Sequence, residues 1–503
     1  MKRILSVLLL CAVLLTGCNW EEPDYLPSDD ILLGEDETAP AATVPSARAL
    51  SMVYDPEGNL NPYACTDYTN RALFSLIYQG LFTVSRDYKV YPVLCKSYNV
   101  SADMTTWTFQ IADALFSDGT AVTLEDVQAS LKASMGSPWY GKRLQHVKTF
   151  SIMADSIVLQ LDVPCENLPL LLDIPIVKAS ETEAKQPLGT GPYLLESNQL
   201  RRQAGWWCDA NLPVSAATIA LSIADSPAKV RDRFERSEVG LVCTDPGSLD
   251  YVDFRCDYEL WDSENGLFVY LACNEDSEIL QNEAIRTALT HAIDRDKLVK
   301  DYYRDFARSA TLPASPWSPF YDKKLSENYG YDPQKLTDAV AAAELGSTSL
   351  TLMVSTADLC RRQAAQAIAK MLTECGFPTT VKLVAPAKLE SQLRDGEYDL
   401  YLGQTRLSAN MDLSAFFAKN GTLSFRGLAN EDLYDLCMQS LANAGNYYSL
   451  HKAVMEDGSL CPILFQSYAI YGVRGSLPGL TPARDNLFFY HLGMTMEQAK
   501  NAN

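Results

Sequence analysis

A chain of 503 residues with 47% hydrophobic and 10% aromatic content can bury a large core, and it is longer than one core usually serves, so two or three subdomains are expected. The formal charge of −21 at pH 7 repels polyanions and excludes nucleic acid or an anionic lipid surface as the main partner. None of the thirteen cysteines forms a CxxC pair, which excludes zinc knuckles and thioredoxin-like redox motifs.

Lys2 and Arg3 precede an apolar run from Ile4 to Leu15, too short for a stable membrane span but suited to the core of a signal peptide, so the chain is exported. The run ends in LLTGC, Leu14 to Cys18, which resembles the bacterial lipobox and implies cleavage before Cys18 and lipid on that cysteine. Residues 1–18 are therefore expected to be signal peptide and lipobox, with the mature protein extracytoplasmic and lipid-anchored to the cell membrane. Residues 19–47 carry eight acids and no base and read as a disordered acidic tether. A charge of −15 remains on residues 48–503. Without Cys11 and Cys18, eleven cysteines are left; an odd number cannot all pair internally, and they read mostly as small buried apolar residues.

TWTFQI alternates Trp107, Phe109 and Ile111 with Thr106, Thr108 and Gln110, the period of a half-buried strand. FSDGTAVTLEDV, Phe116 to Val127, invites a test as a calcium loop. With Gly119 as the sixth residue, the first and third positions fall on Ala114 and Phe116, which cannot ligate calcium. The acids are read instead as punctuation: Asp118-Gly119 turns the chain, and Thr123 with Asp126 forms a capping box that opens a helix through Val127 and Leu131. TFSIMADSIVLQLD predicts a hairpin turning near Asp155-Ser156. A helix is expected to open near Asn282 and carry Ile285, Leu289 and Ile293 inward. Further on, strand SLTLMVS, a helix from Asp358 to Cys375, strand TTVKLV, a short helix to Arg394 and strand YDLYLG alternate, which implies a mostly parallel sheet with helical covers.

Several segments in order resemble the family 5 extracellular solute-binding proteins, the receptors of oligopeptide, dipeptide and nickel ABC importers. They are LFSLIYQGLFTVSRDYKVYPVLCKSYNVSADMTTWTFQI, ALFSDGTAVTLEDV, LGTGPYLL from Leu188 to Leu195, and LFVYLACNEDSEILQNEAIRTALTHAIDRDKLV. The resemblance spans roughly residues 50 to 480 and rests on the joint order of these blocks. It implies an α/β, two-lobed fold of the periplasmic-binding-protein type II kind with an extra subdomain on lobe I. Lobe I is expected from 48–79, 187–266 and 464–503, its extra subdomain from 80–186, and lobe II from 267–463. It further implies a monomer that encloses a small peptide or other small solute between its lobes and presents it to permease and ATPase subunits, with no cofactor and no catalysis.

The resemblance also supplies candidate ligand-binding residues. NLNPYACTDY resembles the first ligand-facing loop and places Tyr63 and Cys65 near the cleft; Tyr468 resembles the pocket tyrosine of peptide binders. In peptide-binding members an aspartate after the YDLYLG-like strand holds the free amine, ahead of an acid-proline pair. Here the segment is QTRLSANMDLSAFF: Asp412 matches the later acid, Leu413 replaces the proline and Ala409 stands at the amine-binding position. An ammonium taken into a closed cleft without a carboxylate is left uncompensated, so a free-amine peptide is less well provided for. Arg406, near a position usually aromatic, either meets a carboxylate or phosphate or is a surface arginine.

Other classes have less support. The four histidines, His146, His291, His451 and His491, occur in no HExxH, and no GxSxG is present, so an exported hydrolase is not expected. A sensor or structural lipoprotein on the same fold, and a sugar-binding member using some of Trp107, Trp139, Trp206, Trp207, Trp261 and Trp317, remain alternatives. Trp107, alternating with Phe109, is assigned to the core.

Overall fold

Two long strands, Glu259–Cys273 and Leu460–Gly472, run antiparallel and join the two halves of one eleven-stranded sheet. The computed structural model describes residues 50–501, except 209, 224, 249–250 and 345–347. The expected signal peptide, the expected lipid-bearing Cys18 and the expected tether over 19–47 lie outside the described residues. On one side of the long pair stand Leu241–Thr244, Ser51–Tyr54, Thr218–Ile223, Gln199–Arg202 and Tyr193–Glu196; on the other stand Leu400–Arg406, Leu350–Ser355 and Thr379–Val384.

The expected parallel sheet is found only in part. Leu350–Ser355 is parallel to Thr379–Val384 and to Leu400–Arg406, with the helix Leu359–Glu374 as cover, but Leu400–Arg406 then meets Glu259–Cys273 antiparallel. The reason is topological. Chain entering and leaving the second half by adjacent crossing strands must run in opposite directions, whereas the strand-helix-strand units inside that half must be parallel.

A separate four-stranded antiparallel sheet, in the order Cys95–Val100, Thr106–Ile111, Ser156–Leu161, Val147–Met153, carries the helix Leu124–Ser134. Its hairpin pairs Met153 with Ser156, so the turn residues are Ala154 and Asp155, one position earlier than the sequence suggests. Trp107 and Phe109 are buried as expected. The capping box forms: the Thr123 hydroxyl accepts from the Asp126 N–H at 3.2 Å and the Asp126 carboxylate from the Thr123 N–H at 2.9 Å. Asp118 accepts from the Thr120 N–H at 3.1 Å and pairs with Lys178, so these acids shape the chain. Thr123→Ala is expected to cost about 1 kcal/mol, readable as a shift in the urea midpoint.

Glycine is required where backbones meet. In LGTGPYLL, a Cβ on Gly189 or Gly191 would collide with the main chain at Ile77, so this turn lies directly on the end of the helix Phe74–Ile77. At the crossing, Gly266 has φ +71 and faces the Arg484 guanidinium with no room for a side chain. The register of the long strands breaks between Glu264 and Phe268 around it.

The second half has its own core, in which Ile285, Leu289 and Ile293 are fully buried; the helix that Asn282 caps ends at Leu289, however, and Ile293 follows a 3-10 turn over Thr290–Ala292 in extended backbone, so its burial does not come from the helical period. Eight cysteines are buried without disulfides, among them Cys273, Cys437 and Cys461. His451, on the helix Tyr447–Asp457, is fully buried with no hydrogen-bond partner for either ring nitrogen among the described residues, and burial pushes its pKa down to about 3. The native state keeps this ring neutral while the unfolded chain protonates it below about 6.5, so stability is lost as pH falls through that range. The loss attributable to His451 should reach about 2 kcal/mol at pH 5. Urea titrations at pH 7 and pH 5 should show it in the wild type and not in His451→Leu.

Candidate functional site

Asp67 caps the short helix Tyr68–Arg71, accepting from the N–H groups of Thr69 and Asn70, and the helical spacing sets Tyr68 and Arg71 on one side. Opposite stands the end of the strand Leu400–Arg406. The break at Gly266 leaves the Asn265 carbonyl to accept from Arg406, while the Gly266 carbonyl accepts from the Leu407 N–H at 3.0 Å. Tyr468 comes from the crossing strand Leu460–Gly472, whose thirteen residues are all buried although they include Gln466, Ser467 and Tyr468.

These elements converge on Trp139. The Arg71 guanidinium lies 3.7 Å and the Arg406 guanidinium 3.9 Å from the indole centroid. Arg406 also donates to the Tyr468 hydroxyl at 3.3 Å, and the Tyr468 ring stacks on Tyr68 with centroids 3.5 Å apart. Arg71 donates to the Tyr140 hydroxyl at 3.1 Å and the Pro62 carbonyl at 3.4 Å. Nearby, Lys142 Nζ donates to Thr405 Oγ1 at 2.9 Å. None of these three cations makes an ion pair among the described residues, in a protein whose acids outnumber its bases. Burial lowers the pKa of Arg406 from its ordinary value, and burial with the neighbouring Arg406 charge lowers that of Lys142. Both shifts mark positive charge held away from water, which at Arg406 the Tyr468 hydroxyl and the Asp485 carboxylate offset only in part.

Beyond Tyr68 opens a cavity of about 390 Å³ lined by Asp67, Tyr68, Cys243, Asp245 and Tyr251 among others, at the ends of the parallel strands Ser51–Tyr54 and Leu241–Thr244. Its size falls in the range of small-molecule sites. Asp245 is half-buried and accepts from the Gly247 N–H at 2.9 Å; burial raises its pKa, as does Asp358, while Arg406 opposes them.

The sequence-derived candidates divide. Arg406 and Tyr468 meet in this cluster. Tyr63 is 5% exposed and donates to the Pro175 carbonyl at 2.7 Å, and Cys65 is fully buried with its thiol pushed up to about 11 by burial. Asp412 is likewise engaged elsewhere, accepting from Gln145 at 2.6 Å and the Ser414 N–H at 2.8 Å and facing His146 at 3.1 Å. Ala409, at the amine-binding position, is buried. Tyr68, Arg71 and Lys142 are missed by the sequence reading, and Trp139 enters it only among the tryptophans considered for a sugar ligand. The available signal was Asp67: as a cap it starts a helix that carries Tyr68 and Arg71 together.

Comparisons with known proteins agree with this architecture. The family model described as bacterial extracellular solute-binding proteins, family 5 middle, matches residues 89–422. The glutathione-binding protein GsiB of Shigella dysenteriae is 25% identical over 433 residues, covering 79% of this chain and 84% of that one. The ABC transporter substrate-binding protein CtaP of Listeria monocytogenes superposes with a TM-score of 0.70 at 19% identity over 87% of this chain and 97% of that chain. NikA of Brucella suis, in complex with Fe(III)-EDTA, gives 0.67 at 18% identity, covering 86% and 95%. The fold is thus the mixed α/β, two-lobed type of the family 5 binding proteins, and this chain belongs to the bacterial extracellular solute-binding proteins, family 5.

Proposed function

We propose that this protein is the membrane-tethered receptor of an ABC importer and captures a small anionic organic solute, a peptide or related compound, between its lobes for delivery to permease and ATPase subunits. The lipid on Cys18 and the 19–47 tether would hold it at the cell membrane, and lobe I, its subdomain and lobe II would follow the boundaries expected from the sequence. The observation that carries the ligand class is the layered Arg71, Trp139 and Arg406 stack with Lys142 beside it, none of these three cations making an ion pair among the described residues. Desolvated cations without counter-charge disfavour the empty protein, and an arriving carboxylate relieves that cost with charge-assisted hydrogen bonds. Tyr68 and Tyr468 would wall the site. Relatives named for glutathione binding are in keeping with a small peptide-like acid. Capture and release require no covalent step, and the family is one of solute-binding proteins rather than enzymes.

Native mass spectrometry of the full chain, purified without refolding, tests this reading through the mass released on denaturation. An acid-bearing solute supports it. A neutral sugar bound at stoichiometry overturns the ligand class. If no mass is released, thermal shifts with matched peptides decide: amidating the C-terminus should cost more affinity than acetylating the N-terminus, because the cluster around Trp139 holds two guanidinium groups with no ion pair among the described residues, and Ala409 stands where an aspartate would be. A ligand at 100 times its Kd should stabilise the protein by about 2.7 kcal/mol. Equal binding of the amide and the free acid would sink the proposal.

A further inference from the structure

His146 sits between two acids from different parts of the molecule. Its Nδ1 lies 3.1 Å from Asp162 Oδ1, at the end of the strand Ser156–Leu161, and its Nε2 lies 3.1 Å from Asp412 Oδ2, in the loop after the strand Leu400–Arg406. A neutral imidazole has one N–H and one lone pair, so one carboxylate would face a lone pair. Only the imidazolium donates to both. Gln145 Nε2 donates to the same Asp412 oxygen at 2.6 Å and lies 3.3 Å from His146 Nε2, so that both donors converge on the one carboxylate.

The contact bridges the region expected to form the extra subdomain and that expected to form lobe II. The same seam carries the Lys142 bond to Thr405, the Glu166 N–H donating to the Leu441 carbonyl at 2.9 Å, and the Ala444 N–H donating to the Glu166 carboxylate at 2.7 Å. Among the described residues, His146–Asp412 is the one ion pair between 80–186 and 267–463. We propose that His146 and Asp412 form a proton-operated clasp that holds the extra subdomain to lobe II and thereby couples solute retention to external pH.

This inference rests on the receptor reading for its consequence, since the family's lobes open and close around solute, but the clasp itself is tested without solute. The charged and titratable groups facing it are few. Asp162 is 42% exposed on its side chain and Asp412 only 4%. Lys142 and Arg143 line the same small hollow; Arg143 is held by Asp173 and Asp485. Cys165, Cys437 and Tyr447 lie near Asp412, and burial pushes each toward its neutral form. Around His146 burial works against the charged ring, yet Asp412 and Asp162 outweigh it and raise the pKa; around Asp412 burial works upward, yet His146 and Ser414 hold the carboxyl low. The sign follows. When the seam opens, His146 loses Asp412 and its pKa drops, so protonation favours the closed seam at low pH and the contribution is lost as pH rises through the closed-state pKa.

Histidine NMR of the full chain, which has only four histidines, reads the ring directly, with His146 assigned by His146→Gln. His146 should titrate above the ordinary value, and Asp412→Asn should lower its pKa. Hydrogen exchange, corrected for intrinsic pH dependence, should show residues 405–417 and 441–446 gaining exchange as pH rises through that titration in the wild type. His146→Arg, permanently charged, should remove that pH dependence with the seam protected. A His146 titration at or below the ordinary value, or exchange in these segments that does not respond to pH, would overturn the clasp. If the clasp responds to pH while every acidic solute fails to bind, the ligand class is wrong and the clasp stands.

Discussion

Arg143→Met is expected to destabilise the protein by about 3–5 kcal/mol, the cost of removing one member of a buried ion cluster and leaving its partners charged. Arg143 is 6% exposed and donates to both Asp173 and Asp485, the latter at 2.6 Å. Burial pushes the Asp485 carboxyl upward, but Arg143 and Arg484 outweigh it and hold it down to about 2. Arg484 lies 3.7 Å from the same oxygen and donates to the Leu407 carbonyl, so the cluster ties the C-terminal segment to the four-stranded region and to the chain beyond Arg406. Adding Asp173→Asn and Asp485→Asn to Arg143→Met should recover part of the loss, because the stranded charges go with their partner. Urea denaturation of the single and triple variants provides the check. A single variant within about 0.5 kcal/mol of wild type would show that the cluster does not hold the fold.

Arg406→Met should behave in the opposite way. Without solute it is expected to leave stability nearly unchanged, since it removes a desolvated cation that makes no ion pair among the described residues and relieves Lys142 of a like charge, against the loss of its weaker attraction to Asp485. Affinity for an acidic solute should fall at least about 100-fold, equivalent to about 2.7 kcal/mol, within the range for truncating one side of a buried charge pair. Arg406→Lys should recover little, because an ammonium cannot both stack on Trp139 and offer a forked pair of donors. Calorimetric titration beside thermal denaturation separates the two effects. A variant that loses stability and keeps affinity would assign Arg406 to the scaffold. The contrast between the two arginines is chemical: Arg143 is ion-paired with two carboxylates, and Arg406 makes no ion pair among the described residues.

That difference was only partly legible in the sequence. QTRLSANMDLSAFF marks Arg406 as a departure and Ala409 as a missing acid, because a family pattern is written residue by residue. It also drew attention to Asp412, which matches the pattern but is claimed by His146, a residue 266 positions away in sequence. Tyr63 and Cys65 were chosen from a loop of the right identity, yet a loop has no fixed periodicity to say which side chains face inward, and both are packed into the core. Tyr68 and Arg71 are not in that reading, although the Asp67 cap that starts their helix is a local signal that could have found them. Trp139 has no such signal, since a lone tryptophan reads the same in a core as in a cleft.

The sequence by itself determined what depends on near neighbours along the chain. The Thr123–Asp126 capping box, the TWTFQI strand and the inward Ile285 and Leu289 all rest on periods and contacts a few residues long. Only the tertiary structure decided which charges find partners. Ion pairing depends on distance in space, and His146 with Asp412, Arg143 with Asp485, and Arg71 with Arg406 across Trp139 are brought together by two crossing strands and a break at Gly266, whose effect no local pattern encodes.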